Sequence, residues 1–171
     1  MKKIFTIIFA CLATMTAMAQ SDGSTVAKAW GLNGNGTETD PYRISTAADL
    51  RAMAENCNAE HKGTGEYFKM TSDIDFGGSA DSPVQLPAIG KDGNAKIANI
   101  AYGFDGTFDG DGHTISGIYH TNNTNNADGK YNALFGCIDK NGVVKNIVFS
   151  ENNHITGYNY VSSIASLNMG I

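Results

Sequence analysis

The chain has 171 residues, of which 17% are charged, 20 are glycine and 3 are proline. This length fits one domain of ordinary size, and the net charge of −5 gives no electrostatic footprint for nucleic acid or an anionic lipid surface. Turns in such a chain are made by Gly, Asn and Asp, which tolerate positive φ. The composition therefore favours many short strands joined by tight turns.

Residues 1–19 have the pattern of a secretory signal peptide. Lys2 and Lys3 form a basic start, residues 4–13 form an apolar core, and residues 17–19 read Ala-Met-Ala, a small-x-small cleavage site. The apolar core is too short to span a bilayer. We therefore predict a mature chain without a transmembrane helix, exported to the outer membrane, the cell surface or the medium. Removing the two lysines changes the net charge from −5 to −7.

The mature chain keeps two cysteines, Cys57 and Cys137. Export permits a disulfide bond between them. Two cysteines do not define a disulfide framework, however, and two buried unpaired thiols are the alternative. The sequence leaves the pairing open.

The segment before the first predicted strand, residues 20–40, is rich in Ser, Gly, Asn and Thr. This composition predicts a flexible lead-in. Trp30 lies within it, either as a platform for a carbohydrate ring or, as we prefer, as a side chain that packs on the first strand or helix. Residues 41–103 are expected to form an N-terminal cap.

The cap contains one predicted helix, at residues 47–58. Thr46 and Asp49 have the T-x-x-D spacing of a helix N-terminus, where each side chain accepts a hydrogen bond from the backbone of the first turn. Apolar residues then recur at the spacing of one helix face. This stripe, which belongs to the core, consists of Leu50, Met53, Ala54 and Cys57.

The rest of the cap is predicted to be β. Residues 42–44 form a short strand, and residues 66–76 alternate between apolar and polar side chains, as a strand with one buried face does. Residues 84–89 are a further short strand. Pro83 and Pro87 place it at a sheet edge, because proline donates no hydrogen bond to a ladder.

Residues 104–171 contain an internal repeat. Residues 115–118 (ISGI) match residues 144–147 (VKNI) at an offset of 29, and residues 134–136 (LFG) match residues 164–166 (IAS) at an offset of 30. A short β unit that recurs about every 29–30 residues predicts stacked coils that bury one another's apolar faces. We expect the first coils of a β-solenoid, with an unpaired strand edge on the last coil.

Four segments resemble one protein family. They read YRISTAADLRAMAE, YFKMTSDIDF, FDGTFDGDGHTISGIY and ALFGCIDKNGVVKNIVF. Together they are similar to the start of exported right-handed β-helix proteins with the GLUG repeat, which are common among bacterial surface proteins and adhesins. The resemblance covers residues 40–171. Ser163 and Ser166 stand where family repeats of the form G-x-L-A-G-x-N-x-G have glycine.

The resemblance implies a mainly β fold. An N-terminal cap with one α-helix would be followed by the first coils of a right-handed parallel β-helix, incomplete at its C-terminal end. The family assigns no catalytic residue that transfers to this chain.

Two groups of carboxylates are candidates for a metal site or for catalysis. Asp73 and Asp75 share one strand face, and Asp105, Asp109 and Asp111 cluster around a tight turn. Carboxylate oxygens are the ligands that Ca²⁺ prefers, and β-helix polysaccharide lyases use carboxylate-bound Ca²⁺ with a Lys or Arg base. The second group is therefore a weak calcium candidate. For Asp73 and Asp75 we prefer the alternative of a solvated strand face or a turn-binding aspartate. For the second group we prefer the alternative that its Asp-Gly pairs simply make turns. We predict neither a cofactor nor a catalytic set.

Tyrosines are the candidate ligand-binding residues, because their rings can stack on a glycan. Tyrosine is also an ordinary residue of short strands, so the four candidates are weak. They are Tyr119, Tyr131, Tyr158 and Tyr160.

These features favour a non-catalytic exported interaction module for adhesion or glycan contact, the N-terminal part of a longer β-helix protein. Its partners would be a carbohydrate or a host or cell-surface ligand, with further coils or a partner chain at the C-terminal edge. Two alternatives remain. One is the N-terminal part of a calcium-dependent β-helix polysaccharide lyase, and the other is a truncated fragment without a function of its own.

Overall fold

The computed structural model describes residues 30–59, 62–91, 103–125 and 129–171. The predicted signal peptide and the first half of the predicted lead-in lie outside these ranges. Within them the chain is mainly β, with a single short helix and strands that pair only in parallel.

The elements follow one another as β1 (Tyr42–Ile44), α1 (Ala47–Asn58), β2 (Tyr67–Met70), β3 (Ile74–Asp75), β4 (Thr107–Asp109), β5 (Thr114–Ser116), β6 (Tyr119–Asn122), β7 (Phe135–Ile138), β8 (Val143–Lys145), β9 (Val148–Phe149), β10 (His154–Gly157) and β11 (Ala165–Asn168).

The chain returns repeatedly along the same path, so that each set of strands lies on the one before. The sheets have the orders β1-β2-β4-β8, β3-β5-β9, β6-β10 and β7-β11. Each return is termed a rung here: rung 1 is residues 67–91, rung 2 is residues 103–138 and rung 3 is residues 143–168. All four strands of rung 2 pair with the four strands of rung 3 in the same order.

The strand register confirms one of the two sequence matches. Phe135 pairs with Ala165, at the predicted offset of 30. The other match is wrong, because Ile115 pairs with Phe149 in one sheet while Val144 pairs with Phe108 in another. Each rung carries several short apolar strands of similar sequence. Local similarity therefore does not identify the sheet to which a strand belongs.

Aromatic side chains fill the interior of rungs 1 and 2. Phe68, Phe104, Phe108 and Phe135 are all fully buried. Ring centroids lie 5.7 Å apart for Phe68 and Phe104 and 5.4 Å apart for Phe104 and Phe135, in edge-on or tilted arrangements. Such pairs contribute about 0.5–1.5 kcal/mol each beyond the burial of their area. A continuous aromatic column thus joins the two rungs.

The helix α1 has the predicted bounds and starts with the predicted capping box. The Thr46 hydroxyl accepts from the backbone N–H of Asp49 at 3.1 Å, and the Asp49 carboxylate accepts from the N–H of Thr46 at 2.9 Å. The side-chain amide of Asn58 donates to the carbonyl of Ala88 and accepts from the N–H of Lys91. The apolar stripe of α1 is fully buried, as predicted, and consists of Leu50, Met53, Ala54 and Cys57.

Residues 30–40, the described part of the predicted lead-in, make defined contacts with the cap. Trp30 is 1% exposed, its ring centroid lies 4.8 Å from that of Phe68, and its indole N–H donates to Glu66 at 2.8 Å. The Asn33 carbonyl accepts from the N–H of Arg43 at 2.7 Å. A buried tryptophan anchors this polar segment on the cap, so Trp30 packs on the first strands rather than offering a platform to a ligand.

Two predicted strands differ in the structure. Residues 66–76 form two short strands, β2 and β3, because the chain turns between them from one sheet into the next. Residues 84–89 form no strand, and Ile89 makes only an isolated bridge to Phe135. Pro83 and Pro87 supply no backbone donors in that stretch, which limits its ladder.

The two ends of the stack differ among the described residues. α1 and Trp30 cover one end. At the other end, Phe149 of rung 3 is only partly buried and Val161 is 41% exposed. Phe108 and Ile115, which occupy the interior of rung 2, are fully buried. Rung 3 therefore presents an incompletely covered apolar face, termed the open end.

We expect Trp30→Ala to lower the free energy of unfolding by roughly 3–5 kcal/mol, as truncation of a buried aromatic residue does. A urea titration followed by circular dichroism measures the change. Tyr158→Ala is the matched control, since this ring is 48% exposed and its loss should shift stability by about 0.5 kcal/mol or less. Equal midpoints for Trp30→Ala and the wild type would place Trp30 outside the cooperative unit.

Candidate functional site

Asp105, the first of the three calcium candidates, is buried in rung 2 and binds residues of the segments that precede rung 1 and rung 3. Its carboxylate accepts from the Thr64 hydroxyl at 3.0 Å, from the backbone N–H of Asn141 at 3.1 Å and from the Asn141 side-chain amide at 3.2 Å. Burial raises the pKa of Asp105, but the hydrogen bonds from Asn141 and Thr64 and the nearby Lys62 charge lower it further, so the net shift is downward. The ionised carboxylate is thus a structural crosslink.

Asp109 and Asp111 occupy one corner of the stack. The Asp109 carboxylate accepts from the N–H of Asp111 at 2.9 Å and from the Asn146 side-chain amide at 2.9 Å, and it lies 3.5 Å from Lys145 Nζ. Burial raises the pKa of Asp109, whereas these hydrogen bonds and the Lys145 charge bring it below its ordinary value. Asp111 instead forms an ion pair with Lys69, in which Oδ2 of Asp111 lies 3.0 Å from Nζ of Lys69.

The three carboxylates therefore bind protein donors rather than forming one cage of oxygens. No group of three or more His, Cys, Asp or Glu side chains converges on a common point in the part of the chain that the structure describes. The turn interpretation of these Asp-Gly pairs agrees with their geometry. Asp111, with φ of 51°, adopts the left-handed conformation that Asp tolerates in tight turns.

Asp73 and Asp75 also make separate local contacts. Asp73 accepts from the N–H of Thr114 at 2.8 Å and lies 3.2 Å from His113 Nδ1, and these two bonds lower its pKa. Asp75 accepts from the N–H of Gly77 at 2.9 Å. The two carboxylates do not act as a pair on one atom.

The candidate tyrosines divide between two stacks. The Tyr131 and Tyr160 rings lie 4.7 Å apart with an angle of 4° between their planes, and Tyr119 stacks on His154 at 4.5 Å and 19°. Tyr131 and Tyr160 have φ of 55° and 57°, which is uncommon for bulky side chains. Both stacks run from rung 2 to rung 3. Tyr158 is 48% exposed beside them.

Both cysteines are free thiols. Burial raises the pKa of Cys57 to about 12 and that of Cys137 to about 11. Because the thiolate is the reactive species, neither side chain has the character of a nucleophile at neutral pH. Their role in the structure is to pack.

A groove of about 490 Å³ crosses the side of all three rungs. Asp75 of rung 1, Ser116 of rung 2 and Asn152 of rung 3 line it, with Tyr119 as a wall. This lateral groove was not predicted from the sequence, since its residues meet only when the rungs stack. The features of the sequence that could have indicated this groove are three glycines that line it, Gly77, Gly78 and Gly117.

In the described ranges, no helix combines the length and the apolar character that a membrane span needs.

Comparison with known proteins identifies two relatives. The chain is 33% identical over 141 residues to a protein of Evansella cellulosilytica named as a Gly-rich membrane protein, a match that covers 82% of this chain and 14% of that protein. It is 33% identical over 140 residues to Halomucin of Haloquadratum walsbyi, which covers 80% of this chain and 1% of that protein. The chain thus spans a small fraction of the length of both relatives.

No family model matches the chain. No solved structure is significantly similar to it.

The lowered pKa of Asp105 makes stability depend on pH. The ionised side chain stabilises the fold above its unfolded-state pKa of about 3.9, and this contribution is lost as the pH falls through the lower folded-state pKa. Asp105→Asn cannot titrate. Its free energy of unfolding should therefore fall less than that of the wild type between about pH 5 and about pH 2.

Thermal unfolding at stepped pH measures this difference. At neutral pH, Asp105→Asn should be less stable by roughly 1–3 kcal/mol, because an amide donor would face the donors of Thr64 and Asn141. Asp111→Asn is the neutral-pH control, since it removes only an exposed ion pair with Lys69, worth about 1 kcal/mol or less. Parallel pH profiles for wild type and Asp105→Asn would contradict the crosslinking role.

Proposed function

We propose that the chain is an exported, surface-associated interaction module without catalytic activity, built as the capped N-terminal part of a longer right-handed parallel β-helix. Parallel pairing between successive rungs supports the solenoid part of this proposal: two strands of rung 1 pair with rung 2, and all four strands of rung 2 pair with rung 3. The resemblance to GLUG-repeat proteins supplies the handedness and the association with bacterial surfaces.

The open end is the observation that carries the proposal. Apolar side chains of rung 3 are partly buried where those of rung 2 are fully buried, and Ile171 is 82% exposed. The Ile171 carbonyl already accepts from the N–H of Val144 at 3.0 Å, as the first contact of a further parallel rung would. Exposed strand edges and apolar ends are normally covered in solenoids. Additional coils are the natural cover.

Surface association draws on two further observations. Residues 1–19 have the sequence pattern of a secretory leader, which supports export. One of the two relatives is named as a membrane protein, and both relatives are several times longer than this chain. A short capped stack at the start of a long exported polypeptide fits a module that extends away from the cell.

The candidate carboxylates make structural contacts, which supports a module without catalytic activity. Asp105 and Asp109 are the carboxylates most suited to calcium, and both are occupied by hydrogen bonds from Asn141 and Asn146. A lyase would need these oxygens for its metal and a free base beside them. The geometry instead gives these carboxylates a part in rung-to-rung cohesion.

A lyase assay separates the module from the alternative enzyme. Polygalacturonate and alginate are incubated with the full chain, with Ca²⁺ or with a chelator, and the absorbance of unsaturated sugar products is followed. We expect no rise above that of heat-denatured protein. A calcium-dependent rise in absorbance that Asp109→Asn abolishes would contradict the non-catalytic module. It would favour the alternative, a polysaccharide lyase.

The length of the native polypeptide tests the β-helix proposal. Intact-mass measurement of the protein from its own cells should give a mass well above that of residues 20–171, because further coils would cover the open end. A native mass equal to residues 20–171, in a monomeric and soluble protein, would overturn the longer solenoid. It would favour the truncated fragment.

A further inference from the structure

We infer that the lateral groove binds a neutral oligosaccharide laid along the stack of rungs. This inference rests on the proposed function, since it gives the interaction module a site and a ligand class. The groove lies on the side of the stack, so that further coils at the open end would leave it accessible. Its lining crosses three rungs and comes from Asp75, Ser116, Tyr119 and Asn152.

The floor of the groove is bare backbone. At Gly117, with φ of 69°, an added Cβ would collide with Oδ1 of Asp75 and would lie 2.6 Å from the backbone nitrogen of Gly77. At Gly78, an added Cβ would lie 2.5 Å from the carbonyl oxygen of Gly117. Any larger residue at either place would fill the floor or displace it. Gly78 and Gly117 therefore let the backbones of rungs 1 and 2 approach each other closely at the floor of the groove, as glycine allows.

The polar groups are spaced along the groove by the rungs themselves. Neighbouring rungs lie about 4.8 Å apart, so three rungs span about 10 Å, which is the length of a disaccharide. The Asp75 carboxylate accepts hydrogen bonds, Asn152 both donates and accepts, and the Ser116 hydroxyl makes only a long 3.5 Å contact with the carbonyl of Ile74. Each group can meet a different sugar hydroxyl.

Tyr119 forms the apolar wall of the site. Its ring is stacked on His154, which holds it in place at the groove. A few polar groups beside an aromatic wall are the usual make-up of small-molecule sites. The CH faces of a pyranose would lie against this wall while its hydroxyls reach the rungs.

Charge selects the ligand class. The only ionised group among the named lining side chains is the Asp75 carboxylate, and the mature chain carries a net charge of −7 after loss of the two leader lysines. An acidic polysaccharide would be repelled by both. A neutral sugar is not repelled by this negative charge, and its hydroxyl groups can donate hydrogen bonds to the Asp75 carboxylate.

Titration of the full chain with defined sugars tests the inference. Cellotetraose, maltotetraose and mannotetraose are the neutral probes, tetragalacturonate is the acidic probe, and backbone amide shifts report both affinity and location. At least one neutral probe should bind and shift Gly77, Gly78 and Gly117. Tetragalacturonate should not bind.

Variants locate the site. Tyr119→Ala should weaken binding about tenfold, as the loss of one aromatic contact would. Tyr131→Ala removes an equally stacked ring outside the groove and should leave the affinity unchanged. Asn152→Ala changes an exposed side chain at the third rung. It should weaken binding roughly two- to tenfold. If Tyr119→Ala fails to fold, the affinity of Asn152→Ala shows whether the groove is the binding site.

Three results would overturn the inference. They are no binding of any neutral probe, tighter binding of tetragalacturonate than of the neutral sugars, and binding that Tyr131→Ala abolishes while Tyr119→Ala and Asn152→Ala leave it intact. None of these results bears on the proposed non-catalytic module, which is tested separately by the lyase assay and by the native mass. The two ideas therefore fail independently.

Discussion

The parallel ladder between rungs is the constraint on which the rest of the structure depends. Because parallel pairing sets each rung directly on the last, side chains fall into columns, and a residue's role follows from its column. Phe68, Phe104 and Phe135 form the inner aromatic column. Asp105 is buried beside Asn141, and its ionised carboxylate is acceptable there only because several donors reach it.

Local signals in the sequence were sufficient where the structure depends on neighbours along the chain. The capping box and the apolar stripe determine the start and the buried face of α1, and both were predictable. Contacts between distant residues were not. Trp30 is held by Phe68 and Glu66, 38 and 36 residues away, so a segment of loop-like composition is in fact part of the core.

In the candidate site, too, local features were predictable and contacts between distant residues were not. Asp-Gly pairs predicted turns, and turns are what Asp109 and Asp111 make. The partners Asn141 and Asn146 lie about 36 residues further along the chain and carry no local signal. One of the two repeat matches also failed, because strands of similar sequence recur within each rung. The lateral groove depends on the stacking of three rungs, and only its glycines stand out in the sequence.

Stability differs along the stack, because α1 and Trp30 cover one of its ends. In a linear array each rung is stabilised only by its neighbours, so opening is hardest beneath α1 and Trp30, which cover rung 1. Local opening of this kind proceeds in cooperative units of differing free energy. Rung 1, which lies beneath the cap, would exchange its amide hydrogens last. A protease or a pulling force that opens the stack would therefore leave the capped end folded longest.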